Sequence, residues 1–173
     1  VPQEIIESKI FVIRGHKVML DSDLAALYGV TTKNLNKAVA RNMESFPEDF
    51  MYKLKKSELE NLRFQFGTSS WGGRRYSPYA FTENGVSMLS SVLKSHRARE
   101  VNIQIMRTFT KLRELLNTHA DLRRKLEEME KKYDYQFKVV FDAIKSLIAV
   151  PDRKSKRIGF TAKERRGRYV VLA

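Results

Sequence analysis

One short stretch of the sequence places cations at the spacing of a helix face. Lys33, Lys37 and Arg41 follow one another at intervals of four residues, and a helix brings such residues to the same side. Threonine and asparagine residues flank them. Side chains of these types donate hydrogen bonds to phosphate oxygens and to base edges in a DNA groove. The candidate DNA-contacting residues of this stretch are Thr32, Lys33, Asn34, Asn36, Lys37 and Arg41.

The sequence offers no convergent set of catalytic groups. Its three histidines fall in three separate elements, and the common metalloprotease, phosphate-loop, dinucleotide and serine-hydrolase motifs are missing. Asp21, Asp23 and Glu83 would be carboxylates for a metal-dependent nuclease, but each also falls at an expected helix start, where acids are favoured. We therefore expect no enzymatic activity, no cofactor, no metal and no small-molecule substrate.

The elements around the cations predict how they are positioned. Asp21–Asn42 reads as two short helices, with Gly29 at a tight turn between them. On the second helix Leu35 and Val39 form an apolar face opposite the cations. This spacing is typical of a helix-turn-helix, whose second helix enters the major groove, although many other two-helix corners share it.

A second basic site is predicted in the irregular stretch 67–79. Arg74 and Arg75 follow two adjacent glycines there, next to the only tryptophan, Trp71. These arginines favour a basic wing that touches the DNA backbone or minor groove. The alternative is a surface loop whose Trp71 covers an edge of the core.

The composition favours a polyanionic partner. The chain has 33 Lys+Arg against 20 Asp+Glu, a formal net charge of +13. Nucleic acid is the commonest polyanion, and an anionic membrane surface is the other candidate. Cysteine is absent, no apolar run approaches a bilayer span, and no signal peptide is visible. We expect a cytoplasmic protein that does not enter membranes.

The order of the elements predicts an α+β fold. Short β-prone runs around Arg14-Gly15-His16 suggest a hairpin, and a further strand-like run and helices follow. We divide the chain into a small helix-turn-helix-containing domain with short β-hairpins at 1–94, a long helix at 95–150 and a basic tail at 151–173.

The segment 95–150 contains neither glycine nor proline and carries apolar residues at heptad spacing. Such a seam predicts a long coiled-coil helix, with a dimer as the leading assembly. The rival interpretation is a helical hairpin that folds back on the domain, because extra apolar residues such as Phe109 and Phe137 widen the stripe. The candidate oligomerisation residues are Ile105, Leu112, Leu115, Leu122, Leu126, Met129, Tyr133, Val140 and Leu147.

The tail 151–173 has 8 Lys+Arg against 2 acidic residues in its 23 positions. These cations would add salt-dependent phosphate contacts. Its apolar clusters would instead add strands to a partner or pack on the helices, and the sequence does not separate these roles.

Four separated motifs resemble one known family. They are Leu24–Val30, the run Leu35–Asn42, Phe46–Phe50 with its proline, and above all Arg74–Leu93. Together they are similar to the phage-derived DNA-binding domain related to KilA-N, the "ORF six N-terminal" type, over roughly residues 5–115. The resemblance implies a small α+β DNA-binding domain encoded by prophages or acquired from them.

The sequence thus predicts a sequence-specific double-stranded DNA-binding protein, a prophage-type transcriptional regulator that reads the major groove and forms a homo-oligomer. The alternative is an antirepressor-like module that sequesters another regulator through the coiled coil.

Overall fold

The computed structural model describes residues 1–66, 77–132 and 134–148. The helices are α1 (Gln3–Glu7), α2 (Asp21–Tyr28), α3 (Thr32–Ala40), α4 (Lys56–Phe66), α5 (Glu83–Val92), α6 (His96–Thr118), α7 (Ala120–Lys132) and α8 (Phe137–Ile148). The strands are β1 (Phe11–Ile13), β2 (His16–Leu20), β3 (Met51–Lys53), β4 (Tyr79–Thr82) and β5 (Tyr135–Gln136). The α+β class that the sequence predicts is confirmed.

The strands form one antiparallel sheet in the order β3-β4-β2-β1-β5. β1 and β2 are joined by Arg14 and Gly15, which both have positive φ, of 53° and 74°. A two-residue loop with this backbone matches the right-handed twist of the flanking strands. The predicted hairpin is therefore present.

The side chain of Arg14 fastens this hairpin turn to α4. Its guanidinium donates to both carboxylate oxygens of Glu58, at 2.6 and 2.9 Å, and lies over the ring of Tyr52. The hydrogen bonds from Arg14 lower the pKa of the Glu58 carboxyl. Glu58 also accepts a hydrogen bond from the backbone of Lys55, which satisfies an unpaired N–H at the start of α4.

The sheet is covered on both faces. Phe11, Val18 and Ala80 point to the face that α4 covers through Leu59 and Leu62. The intervening residues, among them Val12, Met19 and Phe81, point to the opposite face, where the other helices build the larger cluster. Burial on both faces explains why Phe11–Ile13, Val18–Leu20 and the pair Ala80-Phe81 are apolar at consecutive positions instead of alternating with polar residues.

The segment 95–150 departs from the prediction of one continuous helix. Within its described residues it forms α6, α7 and α8, separated at His119 and by the short strand β5. β5 pairs with β1, and the amide of Phe137 donates to the carbonyl of Ile10 at 2.7 Å. The chain therefore turns back onto the sheet, as the rival interpretation had it.

The heptad residues explain this difference. Ile105, Leu112 and Leu126 are buried in the larger cluster together with non-heptad residues such as Phe109 and Phe141. A stripe this wide is buried against a domain more completely than against one narrow partner helix. Leu115 and Leu122 are half-buried against the same cluster, and Met129 is exposed. Tyr133 and the side chains of Val140 and Leu147 lie outside the described residues.

The larger cluster includes residues from both 1–94 and 95–148. Polar contacts add to it: buried Tyr28 on α2 donates to Asn102 on α6 at 2.9 Å, and Lys145 on α8 contacts buried Glu7 on α1 at 2.6 Å. Among the described helices, none combines the length and apolar character that spanning a bilayer requires.

Candidate nucleic-acid interface

Helix α3 is held by its apolar side and by defined ends. Leu35 is fully buried and Val39 nearly so, both in the larger cluster. Gly29 ends α2 in the left-handed conformation, with φ of 71°. The hydroxyl of Thr31 accepts from the amide of Asn34 at 3.2 Å and caps the start of α3. The two short helices and the turn that the sequence predicts here are present.

The opposite side of α3 faces outward. Lys33, Asn34, Lys37 and Arg41 are exposed, and Thr32 is half-buried at the first position. From Lys33 to Arg41 the backbone rises about 12 Å along the helix axis. The cations thus form an exposed row on a helix whose other side is locked in the core.

These cations differ from many others in the chain in their electrostatic surroundings. Lys9, Lys17 and Lys145 each contact a carboxylate within 3.2 Å. Within the part of the chain that the structure describes, no ion pair is seen for Lys33, Lys37 or Arg41. Their charge is available to an external anion.

Asn36 has a different position from its neighbours. It is half-buried, and its amide nitrogen donates to the buried carboxylate of Asp21 at 2.9 Å. Asp21 is the first residue of α2, so this hydrogen bond fixes the orientation of α3 about its own axis relative to α2. The geometry assigns Asn36 a structural contact that the sequence pattern did not reveal.

A cleft of about 660 Å³ runs beside the first turn of α3. Thr32, Lys33 and Asn36 line the α3 side of this cleft, together with Asp21, whose carboxylate accepts from Asn36. Lys53, Ser77, Pro78 and Tyr79 line the other side. Lys53 is exposed, so cations stand on both sides of the cleft.

Sequence reasoning missed Lys53 as a neighbour of α3. It lies opposite Tyr79 in the β3–β4 pair, and only this long-range pairing brings it to the helix. An isolated lysine at the end of a strand-like run carries no signal of that position.

The wing arginines, Arg74 and Arg75, lie outside the described residues. The segment that contains them joins the described chain at Ser77, which also lines the cleft beside α3. Their predicted contact with DNA stays a prediction.

The fold and the site together define a small α+β domain with an exposed row of cations on one side of α3. The opposite side of this helix is buried in the core. Residues 8–92 match the family model of the ORF6N domain. Residues 8–92 therefore form an ORF6N domain, the phage-related family that the motifs of this chain resemble. The match ends at the last residue of α5, so α6, α7 and α8 follow the matched region. No curated protein and no solved structure matches the chain significantly.

Proposed function

We propose that this protein is a sequence-specific double-stranded DNA-binding protein that acts as a phage-type transcriptional regulator. In this proposal α2 and α3 act as a helix-turn-helix, with α3 lying in the major groove. The observation that carries the proposal is the exposed row of Lys33, Lys37 and Arg41 on a helix whose opposite side is buried. The ORF6N domain at residues 8–92 supports it.

The proposed roles follow from position on the helix. Thr32, Lys33, Asn34 and Lys37 face the groove, where amide and cationic side chains read base edges. Arg41 at the end of α3 contacts phosphate, and Lys53 across the cleft contacts the adjacent backbone. Asn36 is placed at the groove side of α3 and also orients the helix through Asp21. Arg74 and Arg75 are the proposed wing contacts.

A homodimer remains part of the proposal, because two reading helices on paired half-sites raise both affinity and specificity. Ile105, Leu112 and Leu126 are already buried within one chain. The interface would therefore use exposed residues and not the predicted seam. The same burial disfavours an antirepressor that captures its target through that seam.

Selection of duplexes from a random pool, followed by a salt titration on the selected duplex, tests the proposal. Lys33, Lys37, Arg41 and Lys53 each neutralise about one phosphate charge of the duplex, whether they lie at a base edge or at the backbone, so these four cations contribute about −3.6 to the slope of log K against log salt. The wing arginines Arg74 and Arg75 would make the slope steeper. The variant Lys33→Ala/Lys37→Ala should bind at least about 30-fold more weakly at moderate salt, with the slope reduced by about 2.

The matched control is Lys125→Ala/Lys132→Ala, which removes the same charge from exposed positions of α7. We expect this control to retain most of the affinity. Equal losses in the two double variants would mean that net charge alone drives binding, and groove reading by α3 would be excluded.

A further inference from the structure

A second surface of the molecule combines an apolar floor with cations at its rim. It is a groove of about 740 Å³ between α5 and α6. Ile103 and Met106 on α6 provide apolar surface, and Ser87 and Ser90 on α5 form the other wall. Ile103 is 50% exposed, although it lies well inside an ordered helix. Ile103 and the half-buried Met106 are three residues apart on α6, so they form one apolar patch in this concave surface. Contiguous apolar surface rimmed by polar residues is typical of protein-binding sites.

The wall of the groove on α5 carries short side chains. Ser87 and Ser90 are three residues apart on α5, so they lie on the same exposed face and present only short side chains. Short side chains on one wall leave room for a backbone to approach. An amphipathic helix that lies in such a groove buries its apolar face at positions i, i+3, i+4 and i+7.

The positive charge at the rim of the groove favours a partner with acidic side chains. Arg99, Arg107 and Lys111 border the groove, against one acidic residue, Glu114, and all four are exposed. If the same groove of a second copy of this chain docked here, the three cations of each copy would lie close together and repel. A second copy is therefore disfavoured as the occupant. The chain's own tail, with 8 Lys+Arg against 2 acidic residues, is disfavoured for the same reason. A DNA backbone would leave Ile103 and Met106 against charged phosphates.

We propose that the α5–α6 groove binds an acidic amphipathic helix of a partner protein. The apolar face of that helix covers Ile103 and Met106, and its carboxylates pair with Arg99, Arg107 and Lys111. The groove shares no lining residue with the cleft beside α3. The proposal goes beyond DNA binding and does not depend on it, and it gives a DNA-bound regulator a separate surface for a second protein.

A synthetic probe tests this directly. The probe is a labelled amphipathic helix of about 18 residues, five turns, with leucine on one face and mostly glutamate elsewhere. Its binding to the full chain is measured by fluorescence anisotropy. Two comparison peptides are a scrambled sequence of the same composition and a version with lysine in place of glutamate. The acidic amphipathic helix should bind at least about tenfold more tightly than either comparison peptide.

Substitutions in the chain locate the binding surface. Ile103→Ser and Arg107→Gln should each weaken binding of the acidic helix about tenfold, because they remove an apolar contact and an ion pair at the groove. Arg124→Gln on α7 is the charge control and should change little, and Ile103→Ser should bind the selected duplex as the parent does. Failure of the acidic helix to bind, equal binding of the scrambled peptide, or no effect of Ile103→Ser would each overturn the proposal. A failure of DNA binding alone would leave it intact.

Discussion

Replacing Gly85 with alanine is expected to destabilise the protein by about 3–5 kcal/mol, a large part of the stability of an ordinary domain. A Cβ atom at this position would lie 2.0 Å from the carbonyl oxygen of Phe50 and 2.9 Å from its carbonyl carbon. These are backbone atoms, so a side-chain rotation cannot relieve the overlap. Urea unfolding followed by circular dichroism measures the effect.

The carbonyl of Phe50 is held in place by Thr82, the last residue of β4 and the N-cap of α5. It accepts from the amide of Thr82 at 3.0 Å, while the Thr82 hydroxyl donates to the carbonyl of Asp49 at 2.8 Å. The same hydroxyl caps α5 by accepting from the amide of Gly85. Moving Phe50 away from a new Cβ would therefore disturb both the N-cap of α5 and the adjoining end of the β3–β4 strand pair.

The comparison variant is Gly29→Ala. This glycine has φ of 71°, and the three atoms nearest to an added Cβ all belong to the side chain of Arg97, the closest at 3.0 Å. Because that side chain is flexible, we expect mainly the cost of a left-handed alanine, about 1–2 kcal/mol. If Gly85→Ala were no more destabilising than Gly29→Ala, the close packing of α5 on Phe50 would be wrong.

Truncating Phe109 to alanine is expected to cost about 3–5 kcal/mol, and the loss should be the same at low and high protein concentration. Phe109 is 1% exposed and lies in the larger cluster with Ile105 and Leu112. The cluster is complete within one chain, so this stability does not require association. Thermal unfolding of the parent and of Phe109→Ala at protein concentrations about 100-fold apart measures this loss of stability.

Met129→Ala is the matched control for Phe109→Ala. Met129 occupies a predicted heptad position but is 44% exposed, whereas Phe109 lies between heptad positions and is buried. The structure therefore predicts a small effect for Met129, within about 0.5 kcal/mol. A coiled coil predicts a larger loss of stability for Met129→Ala than for Phe109→Ala, because Met129 would then be buried in the seam. That pattern would contradict the packing of α6 and α7 on the domain.

Local signals in the sequence predicted much of the N-terminal architecture. Gly29 at the end of α2 and the Arg14-Gly15 hairpin each depend on a few neighbouring residues. Such features are visible without knowledge of the tertiary structure, because backbone sterics and local hydrogen bonds determine them.

Contacts between residues far apart in the sequence could not be predicted from local signals. The heptads of 95–150 fit a coiled coil and a folded-back set of helices equally well until the whole apolar stripe is placed against a sheet. The pairing of β5 with β1, which turns the chain back, involves only two residues of β5. Lys53 reaches α3 through its pairing with Tyr79, and Asn36 meets Asp21 only in the folded structure.

In the proposed complex α3 contacts DNA through its exposed cations, while its opposite side stays buried in the core. Amide chemical-shift mapping by NMR, with the full chain and the selected duplex, tests this most directly. The proposal predicts that the largest shifts fall in residues 31–41, with smaller ones at Lys53 and Tyr79 across the cleft. A duplex that binds while the amides of α3 stay unchanged, with the shifts concentrated on α6 or α7, would contradict it.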